Sequence, residues 1–384
     1  MHKQQIRNPQ FAIRNPQSAI RNLKAEMPNS QSATRNPLAT RNSQSATRNS
    51  QFATRNPQLA TRNSRSAIRN PKFAFLRLPR LNRWAVILAG GDGTRLRSLT
   101  RAIAGDDRPK QFCPILGNET LLAQTLRRVS VAIPAHQTLF SLTETHKEFY
   151  APLITGVPEG NLVVQPANLG TTPAIVYSLM RLSILDPAAT VAFFPSDHYF
   201  ADGQGFMGHV DSAFRAIKAR PEMIVLLGIE ADRPEVEYGW IEPAASIFGH
   251  LPQVIRRVQR FWEKPSPTVA RTFLNQGFLW NSFVMTGRVD AFLRMIQRAL
   301  PDLYHTFEAI KPVLGTADEA AAIENVYSSI APSNFSHEVL ANRASDLSVM
   351  AVKNVGWSDW GDPSRVLSTL ARIGIETEWA ETAS

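Results

Sequence analysis

Cysteine is nearly absent from this 384-residue chain. Cys113 stands alone, which excludes a disulfide framework and any zinc site built on several thiolates. Long apolar runs are also missing: none approaches the roughly 18–20 residues of a membrane span. Acidic residues are scarce in one place only. Up to Arg83 the sequence holds 16 lysines and arginines but a single acid, Glu26. That leaves 26 basic and 31 acidic residues from Trp84 onward, so a formal charge of +10 divides into a +15 tail and a −5 remainder. The overall basicity therefore belongs to the tail. A membrane is not expected as a partner, and the cytoplasm is the expected location.

The tail is a repeat. Arg-Asn recurs at Arg7, Arg14, Arg21, Arg35, Arg41, Arg48, Arg55, Arg62 and Arg69, mostly seven apart. A coiled coil needs apolar residues at two separated positions of each heptad. Here the apolar pair is adjacent, and proline interrupts most of the early units. Low apolar content with high single-sign charge describes a disordered segment over 1–80. Three readings apply: in-frame translation of tandem repeat DNA with the functional start near Leu81, a transit peptide, or an electrostatic arm for nucleic acid. Aromatics for base stacking are sparse, which disfavours nucleic acid as a partner.

The remainder opens differently. Trp84–Ala89 is a short β-branched apolar run, the pattern of a strand buried on both faces. It leads into Gly90-Gly91-Asp92-Gly93-Thr94-Arg95-Leu96. Glycines at the carboxyl end of a strand let backbone N–H groups approach a phosphate. No Gly-Lys-Ser/Thr follows, so this is not a Walker loop, and the dinucleotide spacing is absent. Arg95 and then Arg108-Pro109-Lys110-Gln111-Phe112 bring cations back to the glycine turn, as a polyanion site requires. A second apolar run, Val191–Phe194, is followed by Asp197, and a third, Leu347–Val352, by Asp359 in a tight Gly356…Gly361 turn. Carboxylates just past the ends of strands in an open α/β sheet are placed to hold Mg²⁺ on a phosphorylated ligand. His198, beside Asp197, reads as a hydrogen-bonded neighbour rather than a metal ligand.

These segments resemble the sugar-1-phosphate nucleotidyltransferases, in particular the mannose-1-phosphate guanylyltransferases (GDP-mannose pyrophosphorylases). The blocks run in order: the glycine turn, the Arg108–Phe112 segment, Gln165–Thr171, Phe194–His198, Tyr238–Glu242, Glu263-Lys264-Pro265, Trp280-Asn281-Ser282 and Gly356–Gly361. The resemblance covers about 84 to 366. It implies transfer of a nucleoside monophosphate from GTP or another nucleoside triphosphate to a sugar 1-phosphate, with Mg²⁺ as cofactor. Position by position, it implies that Arg95, Lys110 and Lys264 are catalytic and that Asp197 and Asp359 bind the metal. Ala89, Gly90, Gly91, Gly93, Thr94, Gln165, Gly170 and Thr171 would bind nucleotide; Gly239, Glu263 and Asn281 would bind sugar. Leu169, Thr172 and Leu96-Arg97-Ser98 depart from the family's usual pattern, in blocks tied to base and sugar choice.

The implied fold is a three-layer α/β/α, Rossmann-like nucleotidyltransferase domain with a mostly parallel sheet, over 81–370, followed by a C-terminal tail over 371–384. About twenty residues follow the Asp359 turn, too few for an appended isomerase barrel or a long β-helix, so a single catalytic domain is expected. Helices are expected at Leu121–Val131, after a Thr171 or Thr172 cap, at Ala291–Ile296 and near 317–323, with a strand at Met223–Gly228. A homodimer is a candidate assembly. Alternatives are a uridylyl- or thymidylyltransferase acting on glucose 1-phosphate or, in a different class, a nucleic-acid-binding protein acting through its tail.

Overall fold

The computed structural model describes residues 82–246, 254–375 and Trp379. The repeat tail and the expected boundary at residue 80 lie outside the described residues. The described residues all belong to one compact unit within residues 74–384.

The apolar runs form strands because both of their faces find partners. In β1 (Arg83–Leu88), Trp84 and Val86 enter one core layer while Ala85 and Ile87 enter the other. This is the two-residue alternation of a strand buried on both sides. β2 (Thr138–Thr143), β3 (Leu162–Gln165) and β4 (Thr190–Pro195) join it in a parallel block, ordered β3-β2-β1-β4.

Helices cover both faces. α4 (Thr171–Leu185), α7 (Val289–Ala299), α8 (Pro301–Ala309) and α9 (Glu319–Ser329) pack Ile175, Phe292, Phe307 and Ile323 into the first layer. α2 (Leu121–Val129), α5 (Gly203–Ala219) and α6 (Pro267–Asn275) pack Leu122, Phe214 and Phe273 into the second. α1 (Arg97–Ala104) and α10 (Pro363–Arg372) supply Leu99 and Val366 to a third cluster near the glycine turn; α3 (Lys147–Tyr150) is a single turn. The three-layer α/β/α expectation holds. α2 stops two residues earlier than expected, and α10 occupies the first two positions of the expected C-terminal tail.

The expected mostly parallel, Rossmann-like sheet is corrected. β6 (Ile224–Glu230) and β10 (Leu347–Val352) are parallel to each other, but β9 (Leu279–Arg288) lies antiparallel between β4 and β6. β7 (Gly239–Ser246) and β8 (Ile255–Glu263) add further antiparallel pairings, completing a nine-stranded mixed sheet ordered β3-β2-β1-β4-β9-β6-β10-β8-β7. Parallel neighbours require a crossover connection. β7 and β8 instead pair as an antiparallel unit, and β9 returns in the opposite sense to fill the gap beside β4.

A separate two-stranded ladder does most to assemble the site. β5 (Tyr199–Phe200) pairs antiparallel with β11 (Trp357–Ser358), in the register Ser358↔Tyr199. Asp197 lies two residues before Tyr199 and Asp359 one after Ser358. Continuing the register by one step therefore sets Asp359 opposite His198.

Candidate active site

At two positions of the glycine turn, Gly90 and Gly93, a side chain does not fit. A Cβ on Gly90 would stand 2.8 Å from both Gln165 Nε2 and Thr143 Oγ1, and one on Gly93 would stand 2.9 Å from the Lys110 nitrogen. Gly93 also has φ of +60°, a region that glycine adopts without steric cost. Gln111 Nε2 donates to the Ala89 and Gly91 carbonyls at 3.0 and 2.7 Å, and Thr143 Oγ1 donates to the Gly90 carbonyl at 2.9 Å. The loop's carbonyls are thus tied into the protein. Its one acid, Asp92, is drawn aside by Asn168 Nδ2 at 2.9 Å and by His146 Nε2 at 3.1 Å. An uncompensated carboxylate would repel a phosphate, and this arrangement engages it elsewhere.

The turn forms one wall of a cavity of about 450 Å³, a size suited to a small ligand. The nucleotide-side expectations Gly90, Gly91, Gly93, Gln165, Gly170 and Thr171 all line it, as do Asp197, Asp359, Gly239, Glu263 and Asn281. Ala89 is buried behind the turn and Thr94 is exposed; neither lines the cavity.

Gln165 ends β3 with its amide engaged. Nε2 donates to Ser141 Oγ and the Leu142 carbonyl at 3.2 and 3.1 Å, and Oε1 accepts from Tyr327 Oη at 2.9 Å. Beyond it, Gly170 adopts φ of +91°, and a Cβ there would fall 2.4 Å from the Ser333 carbonyl. The Ser333–Phe335 segment is stapled to this point. Ser333 N donates to the Leu169 carbonyl, Thr172 N to the Ser333 carbonyl, and Phe335 N to Thr171 Oγ1. The Thr171 hydroxyl therefore braces a neighbouring segment where a helix cap was expected. The stapling carries Asn334 and Ser336 into the cavity wall.

Lys110 sits beneath the two aspartates. It is 4% exposed, and its Nζ lies 3.0 Å from Asp197 Oδ2 while donating to the Asp359 and Trp360 carbonyls at 2.6 and 2.9 Å. One ammonium thus ties the turn after β4 to the turn after β11. Burial works against the Asp197 charge, but the Lys110 ammonium beside it holds the carboxyl below its usual range. Asp359 Oδ1 accepts from Gly361 N at 2.9 Å and lies 3.6 Å from Arg365 Nε. Arg365 is itself buried and ion-paired to Asp362 at 2.5 Å. These contacts leave the second oxygen of each aspartate, Asp197 Oδ1 and Asp359 Oδ2, open to a ligand. Mg²⁺ commonly binds one or two carboxylates, completing its shell with water and substrate phosphate. Asp197 and Asp359 fit that mode, and among the described residues no cluster of three or more acid, histidine or cysteine ligands forms a closed protein cage.

The opposite wall comes from three neighbouring strands. Gly239 on β7 faces Glu263 on β8 in register. A Cβ at Gly239 would lie 2.9 Å from Glu263 Oε2 and 3.4 Å from Asn281 Cβ, so the three expected sugar-binding residues meet at one point. Burial raises the Glu263 pKa above its usual value, against the opposing charge of Lys264. Asn281 Oδ1 accepts from Phe283 N at 3.0 Å, which leaves its amide N–H groups to the cavity. Phe283, Lys264 and Trp360 all have positive φ, a costly conformation for non-glycine residues that tends to cluster at functional sites.

Arg95 and Lys264 are half-exposed at the mouth. They share a partner absent from the sequence expectations: Glu237 Oε2 is 3.9 Å from Arg95 Nη1 and 3.3 Å from Lys264 Nζ. Glu237, Arg365 and the Asn334–Ser336 wall were all missed. The motif blocks stop short of them, and their roles come from contacts between distant segments.

With a mixed sheet and a cavity walled by the glycine turn that follows β1, the chain belongs to the nucleotidyl transferase family, whose profile matches residues 84–373. Among similar proteins, the alginate biosynthesis protein AlgA of Pseudomonas aeruginosa is 28% identical over 291 residues, 75% of this chain and 58% of AlgA. The mannose-1-phosphate guanylyltransferase of Escherichia coli is 27% identical over 289 residues, 72% of this chain and 58% of that enzyme. The chain thus spans under two thirds of the length of these relatives. A solved structure described as a mannose-1-phosphate geranyltransferase from Thermus thermophilus superposes with a TM-score of 0.64 at 26% identity, covering 75% of this chain and 79% of that one.

Proposed function

We propose that the chain transfers a nucleoside monophosphate from a nucleoside triphosphate to a sugar 1-phosphate, with GTP and mannose 1-phosphate as the preferred pair, giving GDP-mannose and pyrophosphate. The observation that carries this reading is the meeting of Asp197, Asp359 and Lys110 beneath a cavity walled by the glycine turn on one side and by Gly239, Glu263 and Asn281 on the other. The mannose–guanine pairing rests on the AlgA and guanylyltransferase relatives.

The chemistry asks little of the protein covalently. A phosphate oxygen of the sugar 1-phosphate forms a bond to the α-phosphorus, the bond from that phosphorus to the bridging oxygen breaks, and pyrophosphate leaves. The attacking phosphate is already ionised at neutral pH, so alignment and charge neutralisation supply the catalysis. Asp197 and Asp359 would hold Mg²⁺, which when bound offsets charge on the triphosphate. Arg95 offers a planar grip to phosphate and Lys264 a mobile point charge. Lys110 keeps the two carboxylates in place. The cytoplasm, which supplies nucleoside triphosphates, is the proposed location.

A panel of nucleoside triphosphates and sugar 1-phosphates, read by pyrophosphate release, tests the reading. Release with GTP and mannose 1-phosphate above all other pairs is expected. Faster release with UTP or dTTP and glucose 1-phosphate would overturn the pairing, and no release with any pair would overturn the transfer. Asp197→Asn is expected to lose at least ~10²-fold in kcat, the order set by removing one preorganised electrostatic group, while nucleotide binding by calorimetry persists. Turnover like the wild type would remove Asp197 from the site.

A further inference from the structure

One side chain on the cavity wall has no part in the reaction as described. His198 lines the cavity beside Asp197, with its side chain 12% exposed. Its ring is fixed from behind by Trp357. The indole Nε1–H, which can only donate, bonds to His198 Nδ1 at 3.2 Å, and the rings meet edge to face at 5.5 Å between centroids. An imidazole whose Nδ1 accepts carries its proton on Nε2. The antiparallel β5–β11 ladder sets this tautomer, because the same register that brings Asp359 opposite His198 brings Trp357 against its ring.

Nε2–H then lacks an acceptor. The nearest carboxylate oxygen, Asp197 Oδ1, is 3.9 Å away, beyond hydrogen-bond distance. Nε2 is not sealed from solvent and meets the cavity, where a ligand oxygen can accept its hydrogen. We propose that His198 is a further substrate-contacting residue whose Nε2–H donates to a phosphoryl oxygen of the ligand bound beside Asp197. This rests on the proposed nucleotidyl transfer and adds a neutral donor to the charged groups named above.

The test uses the full chain with ¹⁵N-labelled histidine, the His198 signals being assigned from the spectrum of His198→Gln. In the free protein a protonated, pyrrole-type Nε2 and an unprotonated Nδ1 are expected. Inorganic pyrophosphate, and separately GTP, each added without metal, should shift the Nε2–H proton downfield. His198→Ala should lose roughly 10²-fold in kcat, the order for one preorganised donor, and His198→Gln, whose amide restores a donor, should recover part of the loss. An Nδ1–H tautomer, an Nε2–H signal unmoved by either probe, or turnover of His198→Ala like the wild type would each overturn the inference. Pyrophosphate release by the wild type would leave the transfer reaction standing in those cases. A wild type that releases none would sink the transfer reading while the spectra still decide the donor.

Discussion

The cations separate by burial in a way their neighbours in sequence do not announce. Lys110, Arg95 and Lys264 all sit in short motif loops, two of them beside proline, and all were expected to grip phosphate. Lys110 is a buried tie between two turns, with partners some 250 positions away, so sequence spacing could not reveal its role. Arg95 and Lys264 remain at the mouth, where Glu237 occupies them. An anionic substrate must compete with that carboxylate. Exposed ion pairs are worth about 0–1 kcal/mol, so Glu237→Gln should lower KM for nucleoside triphosphate and sugar 1-phosphate by a few-fold at most, as read in steady-state kinetics. A raised KM would show instead that Glu237 itself holds the substrate.

At the scale of elements, legibility followed burial. β1, β4 and β10 were readable as strands because both faces are covered and the sequence is almost wholly apolar, with Ser348 the exception in β10. β8 was not. Its buried residues Ile255, Val258 and Phe261 are three apart, with arginines and glutamine between, a spacing that looks helical. The strand nevertheless pairs with β7, whose register shifts on either side of Pro243. The antiparallel half of the sheet was thus hidden, although its motif residues Gly239, Glu263 and Asn281 were found. The stapling of Gly170 to Ser333 belongs to this scale as well. Gly170→Ala puts a Cβ 2.4 Å from a backbone carbonyl at φ of +91°, at a cost of about 1–3 kcal/mol from the conformation alone. Thermal unfolding of the variant should begin several degrees lower, and KM should rise as Asn334 and Ser336 lose their seat. An unchanged melting curve would show that the loop has another conformation available at no cost.

For the whole molecule, the charge division sets up a kinetic argument. The described residues carry a site rich in carboxylates, including Asp197, Asp359, Glu237 and Glu263, and its substrates are polyanions. The first 83 residues carry +15. Such a segment can raise the association rate of an anion when its field reaches the cavity mouth. At 0.15 M salt that field decays over about 8 Å, and at 0.01 M over about 30 Å. Every candidate site residue lies between Ala89 and Asp359, and the family match begins at residue 84. A chain beginning at Leu81 should therefore keep the kcat and kcat/KM of the full chain at physiological salt. Measured down to 0.01 M salt, the two chains should stay together if the basic repeat has no part in the reaction. A kcat/KM advantage for the full chain that grows as salt is removed would show that the repeat gathers substrate for the site. A loss of kcat on truncation, independent of salt, would show that residues before Leu81 support the catalytic fold itself.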